Sequence, residues 1–157
     1  MPSFIDMLRE KVLVFDGATG THLQGQHLTA DDFGGEHLNG CNEILVVSKP
    51  SAVQNVHRDY LEAGADIIET DSFGSSSIVL AEYDIAHRAY ELSFASAQLA
   101  KELAQSYATA AHPRFVAGSM GPTTKLPSLG HITFRAMADS YEEQAKGLVE
   151  GGADLLC

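Results

Sequence analysis

The sequence predicts an α/β fold with about four parallel strands. Three observations predict the parallel α/β arrangement. Short apolar runs alternate with amphipathic stretches in the order strand, helix, strand, helix, strand, helix, strand. That order suits parallel βαβ units. Apolar runs end in turns rich in glycine and hydroxyl side chains, at residues 16–21, 69–74 and 119–124. Finally, Glu62-Ala63-Gly64-Ala65-Asp66-Ile67-Ile68 is echoed eighty-eight residues later by Glu150-Gly151-Gly152-Ala153-Asp154-Leu155-Leu156. Each copy reads as a helix end, a glycine cap, an Ala-Asp pair and an apolar strand.

The elements follow in order. Residues 1–11 read as a short amphipathic lead-in. The first strand is expected over residues 11–15, and is expected to be buried, because Val12, Val14 and Phe15 are β-branched or aromatic. Residues 21–42 are polar and carry Gly25, Gly34, Gly35 and Gly40, which reads as a long loop. Residues 44–47 form a short apolar run. Pro50 suits the first turn of a helix, with Val53, Val56 and Tyr60 at helical spacing and Gly64 as its stop. Residues 65–70 read as the second strand. A helical region is expected over residues 77–107, with Ile85, Ala89, Leu92, Ser96, Leu99 and Leu103 along one stripe. His112-Pro113 ends it, and residues 114–118 form the third strand. A loop through Pro127 and Gly130 leads to a helix from Thr133, with Phe134, Met137, Tyr141, Ala145 and Leu148 as its stripe. Gly151-Gly152 stops that helix, and residues 153–157 begin a fourth strand in which Cys157 is a small core residue.

Composition narrows the function classes. An apolar fraction of 45% and a charged fraction of 20% are those of a globular chain with a real core. A net charge of −11 argues against nucleic acid or an anionic membrane surface as partner. No apolar run approaches the roughly 20 residues needed to span a bilayer, and no secretory signal is apparent. Cys41 and Cys157 make no disulfide framework. A reducing, cytoplasmic location is expected.

In parallel α/β folds, ligands bind at the C-terminal ends of the strands. That gathers Asp16, Gly17, Ala18 and Thr19 with Glu69, Thr70, Asp71 and Ser72, and with Ser119, Thr123 and Thr124, on one face. Carboxylates suit an ammonium group. Amides freed by Gly17 and Gly20, together with hydroxyls, suit a carboxylate. With no Lys or Arg in the turns, a phosphate is disfavoured against an uncharged or zwitterionic ligand. The glycine spacing also fits neither the dinucleotide nor the P-loop pattern. Each turn can equally be an ordinary strand end with its acid as a cap. Glu36, His37 and Cys41 cluster as possible metal ligands but read more simply as solvated loop residues. His57 and His87 read as surface or boundary residues of amphipathic helices.

Four stretches carry a resemblance. They are Asp16-Gly17-Ala18-Thr19-Gly20-Thr21, Gly40-Cys41-Asn42-Glu43, Ala63-Gly64-Ala65-Asp66-Ile67-Ile68-Glu69-Thr70, and Gly118-Ser119-Met120-Gly121-Pro122-Thr123-Thr124-Lys125-Leu126-Pro127-Ser128-Leu129-Gly130. Together they resemble the homocysteine S-methyltransferase family, in the form of the homocysteine-binding domain of cobalamin-dependent methionine synthase. The resemblance implies a (βα)8 barrel of which residues 1–157 are the N-terminal half, cut within strand four. It implies that homocysteine binds at the C-terminal face, with Asp16, Gly17, Ala18 and Thr19 at its amino-acid end. Glu69, Asp71 and Ser119 join the expected substrate-binding set from the neighbouring turns.

For the full-length enzyme the resemblance implies zinc held by three cysteine thiolates and methylcobalamin as methyl donor. It also implies partners: the C-terminal half barrel and the cobalamin and folate modules. The zinc cysteines of the family lie on later strands, so neither metal ligands nor catalytic residues are expected in this chain. By itself it is expected to be inactive and to expose sticky strand edges. Position 71 is Asp, where the family more often has Asn. The alternatives are a transferase using betaine or S-methylmethionine, or a non-catalytic half-barrel assembly module.

Overall fold

The computed structural model describes residues 3–157; Met1 and Pro2 of the expected lead-in lie outside them. Ser3 caps α1 (Phe4–Glu10) by accepting from the Asp6 N–H, and Asp6 reciprocates toward Ser3. The short α2 (Thr19–Gly25), α3 (Ala30–Phe33) and α4 (Leu45–Ser48) precede α5 (Pro50–Ala63). Strand β1 (Ile67–Glu69) follows, then α6 (Ser77–Leu80), α7 (Ala89–Tyr107), β2 (Phe115–Gly118), α8 (Phe134–Gly151) and β3 (Leu155–Leu156).

The sheet is parallel, in the order β1-β2-β3, with Ile67 opposite Phe115 and Ala117 opposite Leu155. The expected first strand sits beside β1 but forms one parallel bridge, Phe15 to Ile67, rather than a full strand. Its backbone is nonetheless bonded. The Asp16 N–H donates to the Ile67 carbonyl at 2.9 Å, and the Val14 carbonyl accepts from the Asp66 and Ile67 N–H groups at 2.8 and 3.1 Å. The burial expected of it is not observed. Val12, Val14 and Phe15 are 85%, 57% and 40% exposed, and Leu13 alone turns toward the core. As the outermost rung, this segment has a neighbour on one side only among the described residues.

The two faces of the sheet feed separate cores. Ile67, Phe115 and Ala117 point one way and pack with Phe4, Met7, Leu13 and Leu155, so α1 covers one part of that face. Ile68 and Val116 point the other way, into Leu61 of α5 and Ala100 and Ala104 of α7. Strand alternation dictates this division. A third cluster joins α2, α4, α5 and the start of α7 through Leu23, Leu45, Val53 and Leu92.

Three expectations need correction. The long loop of residues 21–42 is largely helical, in α2, α3 and a 3-10 turn at Glu36–Leu38. Single buried residues, Leu23, Phe33, Leu38 and Cys41, anchor it, spaced too irregularly to show a period. The helical region of residues 77–107 is broken. A 3-10 turn, Ala81–Tyr83, ends at Asp84, which takes a left-handed φ of 59°, and α7 begins only at Ala89. The face that α8 buries is Ser140, Gln144, Gly147, Leu148 and Gly151, while Phe134 is 78% exposed. The cause is close approach. A Cβ on Gly147 or Gly151 would come within 2.7 and 2.5 Å of the Tyr90 and Phe94 carbonyl oxygens of α7. Small residues let the helices touch, so an apolar stripe is not what marks this face.

The internal echo is structural. Gly64 and Gly152 end α5 and α8 with φ of 105° and 106°. Asp66 then grips the preceding strand at both backbone groups of Val14, donating its N–H to the carbonyl and accepting the Val14 N–H on its carboxylate at 2.9 Å. Asp154 does the same to Val116, at 2.8 and 2.9 Å. Each acid also meets a lysine. Lys11 lies 2.7 Å from Asp66, and Lys101 lies 2.6 Å from Asp154.

Candidate functional site

The C-terminal ends of the strands open into a cleft of about 430 Å3. One wall is the turn Gly17, Ala18, Thr19 and Gly20, another is Glu69, Thr70 and Asp71, and Ser119 follows β2. The expected residues therefore converge, with one exception. Asp16 is turned inward, and its carboxylate accepts the Glu69 N–H at 2.9 Å. Burial pushes its acid up to about 7, against the Glu69 hydrogen bond and with the help of the Glu69 charge. Asp16 thus fastens the turn to β1 rather than lining the cleft.

Local packing holds the rest. Tyr60 lies against the turn so closely that a Cβ on Gly17 would meet its hydroxyl at 2.9 Å. No side chain caps the start of α2, so the amides of the turn have no side-chain acceptor. The Ser119 hydroxyl donates to Glu69 at 2.9 Å, and the Ser119 N–H donates to Thr70 Oγ1 at 2.9 Å. Ser72 donates to the Ser119 carbonyl at 2.8 Å, and Gln144 of α8 donates to the Ser72 carbonyl at 2.7 Å. This network ties the turns after β1 and β2 into one rigid floor.

Two cleft residues, Asn42 and Glu43, lie outside the three turns expected to form it. Glu43 accepts the Gly74 N–H at 2.8 Å and faces the Cys41 thiol at 3.7 Å. The Gly40-Cys41-Asn42-Glu43 stretch was the available signal, but it stood in a segment read as loop. Phe73, 60% exposed, lies against Gly121, where a Cβ would come within 2.5 Å of its ring. A neighbouring hollow of about 460 Å3, between Leu23, Leu28 and Phe33, shares Asn42 but holds no carboxylate.

Two single-residue expectations also fail. His57 is fully buried, with neither ring nitrogen hydrogen-bonded, and burial lowers its pKa to about 4. It occupies the inner face of α5, where helical spacing alone did not separate it from Val53 and Val56. Cys157 is exposed rather than a core residue, because β3 has β2 on one side only among the described residues.

The residues present do not fit a three-thiolate zinc site. Cys41 and Cys157 are the only cysteines. Cys41 is buried, and its thiol is pushed up to about 12 by burial and the Glu43 charge. Among the described residues no three His, Cys, Asp or Glu side chains gather as a metal site, and Glu36 and His37 stand exposed away from the buried Cys41. No described helix is long and apolar enough to cross a membrane.

Comparison with known proteins agrees with the geometry. The chain is 47% identical over 150 residues to methionine synthase of Mycobacterium leprae, and 46% identical over 152 residues to that of Mycobacterium tuberculosis. These matches cover 96% and 97% of this chain but 12% and 13% of the relatives, so the chain spans about an eighth of their length. In fold it is similar to the homocysteine methyltransferase MmuM from Escherichia coli. The TM-score is 0.76 to the metallated form at 24% identity, covering 96% of this chain and 55% of that one. The apo form gives 0.65. Residues 13–157 match the profile described as homocysteine S-methyltransferase, and the chain belongs to that family.

Proposed function

We propose that this chain supplies the amino-acid cradle of a homocysteine S-methyltransferase of the methionine synthase type. The observation that carries the reading is the convergence of the Gly17-Ala18-Thr19 turn, Glu69, Asp71 and Ser119 on one cleft at the C-terminal ends of the strands. Amides of the turn would take the carboxylate of homocysteine, and the acids its ammonium group. Asp16 acts through Glu69, holding the turn in place.

The sulfur end is then left to groups outside residues 1–157. A zinc ion on three thiolates would lower the thiol pKa and so supply the nucleophile. Methylcobalamin would be the donor, carried with folate chemistry by further modules in a cytoplasmic enzyme. We read residues 1–157 as the first half of a (βα)8 barrel. Its exposed edges, at Val14 and Phe15 on one side and Leu156 on the other, would receive the second half. Identity of 46–47% to methionine synthases supports the methionine synthase type of the reading.

Two assays test this. Calorimetric titration of the 157-residue chain with L-homocysteine should show binding that Gly17→Val abolishes through its clash with Tyr60. Labelled methyl transfer from methylcobalamin should be absent in the chain alone and appear when the complementary half barrel and zinc are added. Transfer by the chain alone would overturn the division of labour. A well-defined homodimer that binds no homocysteine would favour the assembly-module reading.

A further inference from the structure

Helix α1 has a wide apolar side and uses half of it. At 3.6 residues per turn, Met7, Phe4, Leu8 and Ile5 follow one another around about 160° of the helix, and Asp6, Arg9 and Glu10 take the rest. Phe4 and Met7 pack on Ile67, Phe115 and Ala117, with the Phe4 ring edge-on to Phe115 at 5.6 Å. Ile5 and Leu8, the adjoining ridge, are 51% and 52% exposed.

The sheet face beneath α1 is not the one that carries the long helices. Leu61 of α5 and Ala100 and Ala104 of α7 pack on the opposite face, through Ile68 and Val116. In a (βα)8 barrel the helical layer lies outside and the other sheet face lines the lumen. Helix α1 therefore sits on the lumen side, at the rim opposite the cleft, against the residue that opens β2. Phe15, bridged to Ile67 and 40% exposed, continues this apolar surface to the edge of the sheet.

We propose that α1 is a two-sided plug: Phe4 and Met7 seat it on this half of the barrel, and Ile5 and Leu8 receive the inward-facing apolar residues of the strands that complete it. This rests on the reading of residues 1–157 as a half barrel and adds a contact that joins the halves away from their strand edges. Two observations name the occupant. The bare ridge is continuous with the covered one, so whatever covers it stands on the lumen side. The chain also covers 55% of the MmuM chain whose fold it shares, so that fold holds nearly as much chain again. A second copy of this chain fits less well, because each copy carries a net charge of −11.

The segment of the Mycobacterium leprae relative that follows its match to this chain supplies the second half for the test, refolded together with the 157-residue chain. Dilution of the complex, followed by fluorescence anisotropy, gives its Kd. The double substitution Ile5→Ser and Leu8→Ser should raise that Kd by about thirtyfold, the effect of leaving half of two aliphatic side chains unburied. Arg9→Ser, on the polar side, and the conservative pair Ile5→Leu and Leu8→Ile should leave it unchanged. The urea midpoint of the chain alone should stay nearly constant throughout. An unchanged Kd in the serine pair would overturn the proposal and leave the half-barrel reading intact, whereas no complex between the unsubstituted halves would overturn both. A lowered urea midpoint in the serine pair would show that Ile5 and Leu8 support this half instead. Self-association of the chain, lost in the serine pair, would put a second copy on the ridge; either result contradicts the plug.

Discussion

The two ends of the sheet use the same residue for opposite purposes. At the N-terminal rim, Asp66 is buried but saturated: Lys11, His112 and the Val14 N–H all reach its carboxylate, at 2.7, 2.9 and 2.9 Å. Burial alone would raise its pKa, yet these partners hold it below the usual carboxylate value. At the C-terminal rim, Asp71 is buried and Asp16 half-buried, neither meets a cation among the described residues, and both are pushed up. The difference teaches where stability and function lie in this fold. Asp66, which staples two strands, is fully partnered, and Asp16, which fastens a turn, is bonded to the Glu69 N–H, whereas Asp71 of the cleft keeps one carboxyl oxygen without a partner.

The comparison predicts opposite signs for similar substitutions. Asp66→Ala leaves the Val14 N–H and Lys11 without their partner and should lower stability by about 3 kcal/mol in urea unfolding. A loss below about 1 kcal/mol would remove the distinction between the rims. His57 must be separated from the rims, since it also titrates in acid. Its folded pKa of about 4 lies below the unfolded value of 6.5. The neutral form is favoured in the fold, so stability is retained above pH 6.5 and falls by up to about 3 kcal/mol as pH drops toward 4. His57→Leu should flatten that part of the profile, leaving the rim acids to account for what remains.

Asp154→Ala should cost less than Asp66→Ala, about 1 kcal/mol, because a quarter of the Asp154 side chain and of Lys101 is solvated. Asp71→Asn should instead stabilise the chain, by about 1 kcal/mol near neutral pH, since an amide carries no charge to desolvate. Destabilisation by that variant would mean that Asp71 is a structural acid like Asp66.

Much of this was legible in the sequence, and for physical reasons. Pro50 and Gly64 bracket α5 because one lacks an N–H and the other accepts a left-handed φ, and both facts are local. The echo of Gly-Ala-Asp predicted two equivalent strand starts. Asp66 and Asp154 deliver them, though the grip on Val14 and Val116 could not be read from spacing. The segment around Asn42 and Glu43 was missed because its anchors, Leu38, Cys41 and Ile44, follow no period. Its place in the cleft depends on the Gly74 N–H, thirty-one residues away. The reversal of Asp16 from cleft ligand to turn fastener has the same origin: a carboxylate's direction is set by its tertiary partner.

The most direct test is amide NMR of the 157-residue chain titrated with L-homocysteine. Shifts concentrated at Gly17, Ala18, Thr19, Glu69, Thr70, Asp71 and Ser119, with Val14, Asp66, Val116 and Asp154 unmoved, are the predicted result. Shifts confined to the N-terminal rim, or none at saturating ligand, would contradict the assignment of the cleft as the amino-acid site.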